Sequence, residues 1–301
     1  MTMTARHWIL LITLSVLWGG AFFFAAIAVE QLPPLTVVLS RVSIAALVLW
    51  IYLRFRKATL PGDLRTIGCF LVMGLLNNLI PFSLLFWAQT TISSGLASIL
   101  NATTPIFSIL ISHLVLSDEK AAMHKMLGVL LGLIGVAILI GNSALSGETT
   151  ATLGIIACLG AALSYGVASV YGRRFRSMGV TPDTGAFGQL AATSVMILPI
   201  ALIVDHPWTL PPPSSGVIIS VLCLATFSTA LAYLIFFRLL ASTGAVNTAL
   251  VTLLIPVSAI ILGATFLGEQ LAFRHYVGMA LILSGLIAVD GRMIGRGVNR
   301  Q

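Results

Sequence analysis

The chain has 301 residues, of which 58% are hydrophobic and 8% charged, with a mean hydropathy of +1.06 and a formal net charge of +7. So much apolar side chain exceeds what a soluble core of this size can bury, so the composition excludes a soluble globular protein and points to a bilayer. The positive charge does not indicate nucleic acid, because the Lys and Arg residues stand in gaps between apolar runs rather than on one solvated face.

A bilayer core of ~30 Å needs about 20 helical residues to cross it, and ten runs approach that length. They are, in order, Trp8 to Val29, Leu35 to Leu53, Thr66 to Ala88, Ser94 to Leu116, Lys125 to Gly141, Ala151 to Tyr171, Thr184 to Val204, Ser215 to Phe237, Thr243 to Leu267 and Ala272 to Val289. The tenth is the weakest, with Arg274 and His275 at its start and Asp290 at its close. Alternating polar and apolar residues, which a membrane barrel requires, are absent, so the expected fold is an all-α integral membrane protein of ten transmembrane helices. The first run contains Trp18 and is longer than the apolar region of a cleaved signal peptide, so cleavage is not expected. Cys69, Cys158 and Cys223 each fall inside a span, where cysteine serves as a small hydrophobe, and no disulfide or metal spacing is present.

With a cytoplasmic amino terminus, the inside segments hold Arg6, Arg54, Arg56, Lys57, Arg65, Lys120, Lys125, Arg173, Arg174, Arg176, Arg238, Arg292, Arg296 and Arg300, and the outside loops only Arg274. That bias puts both termini in the cytoplasm.

The chain also repeats itself. Glu119, Gly128 and Gly135 recur at one constant offset as Glu269, Gly278 and Gly285, while Trp18-Gly19, Pro34 and Phe86 rhyme with Tyr165-Gly166, Pro182 and Phe236. A duplicated unit divides the chain into residues 1–146 and 147–301. Five helices per copy make the second copy enter from the opposite side, an inverted repeat suited to alternating access around a mid-membrane site.

The paired Glu and Gly landmarks, with Trp18-Gly19, Pro34 and Arg41, resemble the EamA family of the drug/metabolite transporter superfamily, across all ten spans. Within it, length, topology and the aromatic and amide residues look most like bacterial aromatic amino-acid exporters of the YddG type. The resemblance implies a secondary transporter of small organic metabolites. Its central cavity would be built mainly by the first, third, fourth, sixth, eighth and ninth spans.

Several landmarks have a structural explanation. Glu119 and Glu269 stand just before the fifth and tenth spans, where a carboxylate caps free amide groups at the positive end of the helix dipole. Gly128 and Gly132 form a small-xxx-small pattern, read with Gly278 as packing between those two spans.

The candidate cavity rests on polar and aromatic side chains at mid-depth, which lipid tolerates poorly. The third span supplies Asn77 and Asn78, with Pro81 one turn on; the fourth supplies Asn101 and Pro105 in a stripe with Ser98, Ser108 and Ser112. The eighth supplies Thr226 and Tyr233 beside Ser220 and Cys223, and the ninth Thr252 with Thr248 and Pro256. Trp18 and Phe22 share a face of the first span with Ser15 and Gly19, and Tyr165 holds the matching place in the sixth. An apolar, aromatic wall with a few amide and hydroxyl groups suits a neutral or zwitterionic solute such as an amino acid. Each Ser or Thr has an alternative use, a hydrogen bond to its own helix, and Trp18 and Tyr165 have one in helix packing.

All nine acids lie at helix ends or in loops, so no buried carboxylate is available as a proton relay. A facilitator or exporter without tight ion coupling is therefore expected, in a bacterial inner membrane, as a monomer, with no cofactor and no metal. Arg41 is the one basic residue inside a span, and a structural tie near Glu30 is its expected role; His113 is assigned to gating or packing. No metal-ligand cluster, nucleotide loop or nucleophile constellation suggests an enzyme. Multidrug or nucleoside export on the same scaffold, and a non-transporting membrane receptor or scaffold, stay open as alternatives.

Overall fold

The computed structural model describes residues 4–115, 123–140, 149–248 and 250–290. All regular structure among them is helical. In chain order the helices are α1 Ala5–Val29, α2 Pro34–Phe55, α3 Leu64–Gly74, α4 Ile80–Ala88, α5 Ser94–Asn101, α6 Thr104–Val115, α7 Met123–Ile140, α8 Thr149–Tyr171, α9 Arg173–Ser177, α10 Pro182–Asp205, α11 Ser215–Ala225, α12 Ala232–Thr248, α13 Val251–Phe266 and α14 Phe273–Asp290. A π-helical segment, Leu75–Leu79, joins α3 to α4, and another, Thr226–Leu231, joins α11 to α12.

Among the described residues, seven continuous stretches are long and apolar enough to cross a membrane: Ala5–Val29, Pro34–Phe55, Leu64–Ala88, Ser94–Val115, Thr150–Ser177, Pro182–Asp205 and Ser215–Gly244. Three shorter apolar helices accompany them, Met126–Ile138, Val251–Phe266 and Phe273–Ala288. Large apolar side chains such as Ile9, Phe55, Val195 and Ile203 face outward, as lipid requires and water does not allow. This is a multi-pass membrane protein.

Local chemistry sets the helix ends. The side chains of Asp63, Ser93, Thr181 and Ser214 accept from backbone amides of the first turns of α3, α5, α10 and α11, and Pro34 and Pro182 open α2 and α10, where a missing N–H costs nothing. Asp205, at the far end of α10, accepts from Thr36 N at 2.7 Å and Thr36 Oγ1 at 2.8 Å, and so caps α2 as well.

Helices from the two ends of the chain interleave: α1 packs on α13, α2 on α10, α8 on α4 and α6, and α7 on α14. Glycine permits the close approaches. A Cβ on Gly285 would lie 2.5 Å from Gly128 O, and one on Gly135 2.8 Å from Gly278 O, so α7 and α14 touch through backbone. Gly19 faces Ser258 and Ala259 of α13, and Gly166 faces Phe107 of α6.

The fourth and ninth runs of the sequence are interrupted in the structure. Pro105 has no N–H for the carbonyl of Asn101, which accepts instead from Thr104 Oγ1 at 2.7 Å, and α5 ends there before α6 begins. Gly244 adopts a positive φ of 81° and kinks α12 near the start of the ninth run; a short helical piece follows it to Thr248, and α13 begins at Val251.

Glu269 also departs from the sequence reading: it caps α5, not the helix that follows it. Its carboxylate accepts from Ser94 N at 2.7 Å and Gly95 N at 3.0 Å. Gly268, with φ of 65°, turns the chain at the end of α13 and brings the carboxylate onto α5. Glu119 lies outside the described residues.

Candidate functional site

The two π-helical segments form the polar centre of the bundle. A π turn bonds each N–H five residues back and leaves other carbonyls without partners. Pro81 accounts for the first, since it cannot donate to the carbonyl of Asn77; the second contains no proline. Side chains from neighbouring helices satisfy the freed groups around the first: Ser164 of α8 donates to Leu76 O at 2.6 Å, and Thr193 of α10 to Gly74 O at 3.0 Å.

The side chains of the π segments then reach across the bundle. Asn77 Nδ2 donates to Gln189 Oε1 at 2.8 Å, and Asn78 Nδ2 to Thr193 Oγ1 at 3.3 Å. Tyr233 of α12, two residues beyond the second segment, donates its hydroxyl to Asn78 Oδ1 at 3.2 Å. On the second segment the Thr229 hydroxyl accepts from Arg41 Nε at 2.8 Å and donates to Leu224 O at 2.8 Å. Asn78, Thr193, Gln189 and Thr229 are all buried.

Arg41 is therefore corrected. The sequence reading tied it to Glu30 as a near neighbour, but Glu30 is exposed at the end of α1 and Arg41 points into the bundle, its guanidinium carbon 3.7 Å from the centre of the Phe82 ring and 5.5 Å from that of Phe86. Tyr165 and Tyr233 lie close enough to interact with it electrostatically.

Of the ten sequence-predicted cavity residues, Asn77, Asn78 and Tyr233 are in one hydrogen-bond network, and Tyr165 adjoins it through Arg41. Trp18 packs on Phe236, ring centres 5.3 Å apart, one turn from Tyr233. Phe22 is buried, and its main-chain oxygen accepts from Gln89 Nε2 at 2.7 Å. Asn101 holds its side-chain oxygen buried and without a partner among the described residues, at the break that Pro105 creates. Thr226 turns away from the network: its hydroxyl donates to Leu222 O at 2.6 Å, within its own helix. Thr252 is half-buried on α13. The polar stripe read along the fourth run is likewise partly self-satisfied, with Ser98 bonded to Gly95 O and Ser108 to Thr104 O.

Sequence reasoning missed Thr193, Gln189, Thr229, Ser164 and Phe82. The signal for Gln189 was present, because the repeat expected from the sequence, which sets Pro34 against Pro182, sets Arg41 against Gln189; single Thr and Ser residues in apolar helices carry none.

An open pocket of about 520 Å³ lies where α1, α4 and α13 finish, lined in part by Glu30, Gln89, Thr90, Phe266 and Glu269. A smaller one of about 230 Å³ lies at the opposite end, between Asp63 and Thr181. Neither includes any of the ten predicted cavity residues.

The profile of the EamA-like transporter family matches residues 6–141 and 152–289. The chain is 26% identical to "Uncharacterized transporter YoaV" of Bacillus subtilis over 92% of this chain and 94% of the relative. It is 29% identical to "Uncharacterized inner membrane transporter YedA" of Escherichia coli over 93% and 89%. A "Probable amino-acid metabolite efflux pump" of Escherichia coli is 26% identical over 94% of each chain. One solved crystal structure shares the fold, with a TM-score of 0.67 at 17% identity over 99% of this chain and 100% of its own. A polar centre sealed inside a lipid-facing shell, with a family match over nearly the whole length, identifies the chain as a member of the EamA-like transporter family.

Proposed function

We propose that the protein is a facilitator or exporter of neutral and aromatic amino acids, working by alternating access in a bacterial inner membrane. The carrying observation is the hydrogen bond across the bundle between Asn78, within the first π segment, and Tyr233, two residues beyond the second. Each segment departs from regular helical geometry, and such departures are frequent at functional sites. Amide, hydroxyl and phenol groups beside Trp18, Phe82 and Phe236 offer hydrogen bonds and an apolar wall to one small solute.

In this reading the chain crosses the membrane ten times as two inverted five-helix repeats, with both termini cytoplasmic. The positions of the π segments, in the third span of each copy, support the repeat. So does the matched use of Gly19 and Gly166, each meeting a helix of the other copy. The basic residues near the start of α3 and around α9, against the single Arg274 of the opposite loops, support the orientation. Rocking one set of helices against the other would expose the centre first to one end pocket and then to the other. The amino-acid class is supported by the likeness to a probable amino-acid metabolite efflux pump and by the site chemistry.

The test is uptake of labelled amino acids, aromatic ones first, into liposomes holding the purified protein, with and without a proton gradient. Saturable uptake that needs no gradient is expected. Uptake equal to that of empty liposomes for every amino acid would overturn the substrate class, and uptake that stops when the gradient collapses would overturn the uncoupled mechanism.

A further inference from the structure

Resting on the transporter reading above, we propose that Arg41 is the anion anchor of the translocation path, the group that takes the carboxylate of the transported solute.

Arg41 keeps only 7% of its surface exposed. Among the described residues its guanidinium makes one hydrogen bond, from Nε to Thr229, and no carboxylate lies within ion-pair distance. The described acids nearest the helix ends are committed elsewhere: Asp205 to Thr36, Glu269 to Ser94 and Gly95, Asp63 to Thr66, and Asp183 to Tyr52. A cation placed in the middle of a membrane protein without a counterion is unfavourable, and the face of Phe82 compensates it only in part.

The second copy shows that a charge is unnecessary for helix packing at this place. Gln189 stands where Arg41 stands, and a neutral amide there ties α10 to the opposite π segment through Asn77 at 2.8 Å. Arg41 performs the same tie with Nε alone, through Thr229, and leaves the two terminal nitrogens of its fork over. Those nitrogens present the geometry that binds a carboxylate with two parallel hydrogen bonds.

The surroundings define the solute further. Phe82 and Phe86 stack with ring centres 6.3 Å apart and 11° between planes, forming an apolar wall next to the cation. The Tyr165 and Tyr233 phenols add neutral polar groups. The arrangement fits a carboxylate borne on an apolar or aromatic body, and disfavours a solute whose only charge is positive.

The experiment compares an acid with its amide. Wild type, Arg41→Gln and Arg41→Lys would be purified to monodispersity and melted with 3-phenylpropionate or 3-phenylpropanamide, and uptake of phenylalanine and phenylalaninamide would be measured in liposomes. Wild type is expected to favour the acid by at least about tenfold in apparent affinity, and Arg41→Gln to bring acid and amide within about twofold. Arg41→Lys, which keeps the charge without the fork, should fall between them. A merely structural arginine would weaken both ligands together and leave their ratio unchanged, which overturns the proposal. If Arg41→Gln is not monodisperse, an unchanged ratio in Arg41→Lys overturns it equally. Amino-acid uptake by wild type with no preference for the acid sinks the anchor and spares the transporter reading. Absence of amino-acid uptake, with Arg41-dependent stabilisation by 3-phenylpropionate, does the reverse.

Discussion

Glu269 holds the amino terminus of a helix that begins 175 positions earlier in the chain, its carboxylate accepting from Ser94 N at 2.7 Å. The second oxygen takes Gly95 N at 3.0 Å, and Ser93 Oγ takes Leu96 N at 3.3 Å, so the first amides of α5 are satisfied together. A negative charge at this place also meets the positive end of the α5 dipole. Glu269→Gln keeps one acceptor and loses the charge, and is expected to cost about 1–2 kcal/mol, read as a lower melting temperature in detergent. Gly263→Ala should cost a similar amount by another route, because its new Cβ would enter the space of the Glu269 carboxylate.

The α7–α14 contact gives a sharper steric test. At Gly285 an added Cβ meets the backbone oxygen of Gly128 at 2.5 Å, and a backbone atom cannot rotate aside as a side chain can. Gly285→Ala is expected to destabilise by about 1–3 kcal/mol. Gly68→Ala, in the helical stretch of α3 with nothing within 4 Å of the new atom, should be neutral or stabilising. Equal melting temperatures for the two variants would show that α7 and α14 do not pack through these glycines.

Much of this architecture is legible in the sequence because lipid imposes it. The apolar runs, the glycine landmarks, and Asn78 and Tyr233 as polar groups deep inside them follow from residue types and spacing. Arg41 was misread because Glu30 is its neighbour in sequence, while Thr229 is 188 positions away. Glu269 was assigned to the next helix by the same habit of reading locally. The π segments were hidden for a different reason: Pro81 signals a missing hydrogen bond but not how the chain absorbs it, and Thr226–Leu231 contains no signal residue at all. The kink at Gly244 depends on a positive φ that a glycine permits without announcing.

Tyr233 and Asn78 separate function from packing. Tyr233→Phe leaves Asn78 Oδ1 buried without its 3.2 Å donor, an expected cost of about 1–3 kcal/mol in stability. Asn78→Ala takes the acceptor from the Tyr233 hydroxyl and leaves a cavity where the amide stood, so it should cost at least as much, although the Thr193 hydroxyl keeps a backbone carbonyl to donate to. If the pair lines the path, both variants lose transport by at least about tenfold although their stabilities differ. Transport that tracks melting temperature instead would assign the pair to packing alone.

Asp63 makes stability depend on pH in one direction. Its carboxylate caps α3, accepting from Thr66 N at 2.9 Å, and that bond holds its pKa below the usual carboxylate value of 3.8. A depressed folded-state pKa contributes stability above the unfolded value that is lost as pH falls through the folded one. Melting curves between neutral pH and pH 3 should therefore drop less steeply for Asp63→Asn than for wild type. The difference should be small, since the group is fully exposed; curves that are parallel throughout would remove the cap from the acid response.

Pro105 is where local helix chemistry meets transport. Its missing N–H leaves Asn101 O to the Thr104 hydroxyl, and the side-chain oxygen of Asn101 lies buried beside the break with no partner among the described residues. In Pro105→Ala a backbone donor returns and the α5–α6 junction can close into continuous helix; because Pro105 stands in the first turn of α6, where a missing N–H costs little, stability should rise by no more than about 1 kcal/mol. If the break serves to hold Asn101 toward the path and to let α6 move relative to α5, the stabilised variant should carry solute more slowly. A variant that gains both stability and rate would mean the break is only a consequence of the proline, and Asn101 would lose its place among the cavity residues.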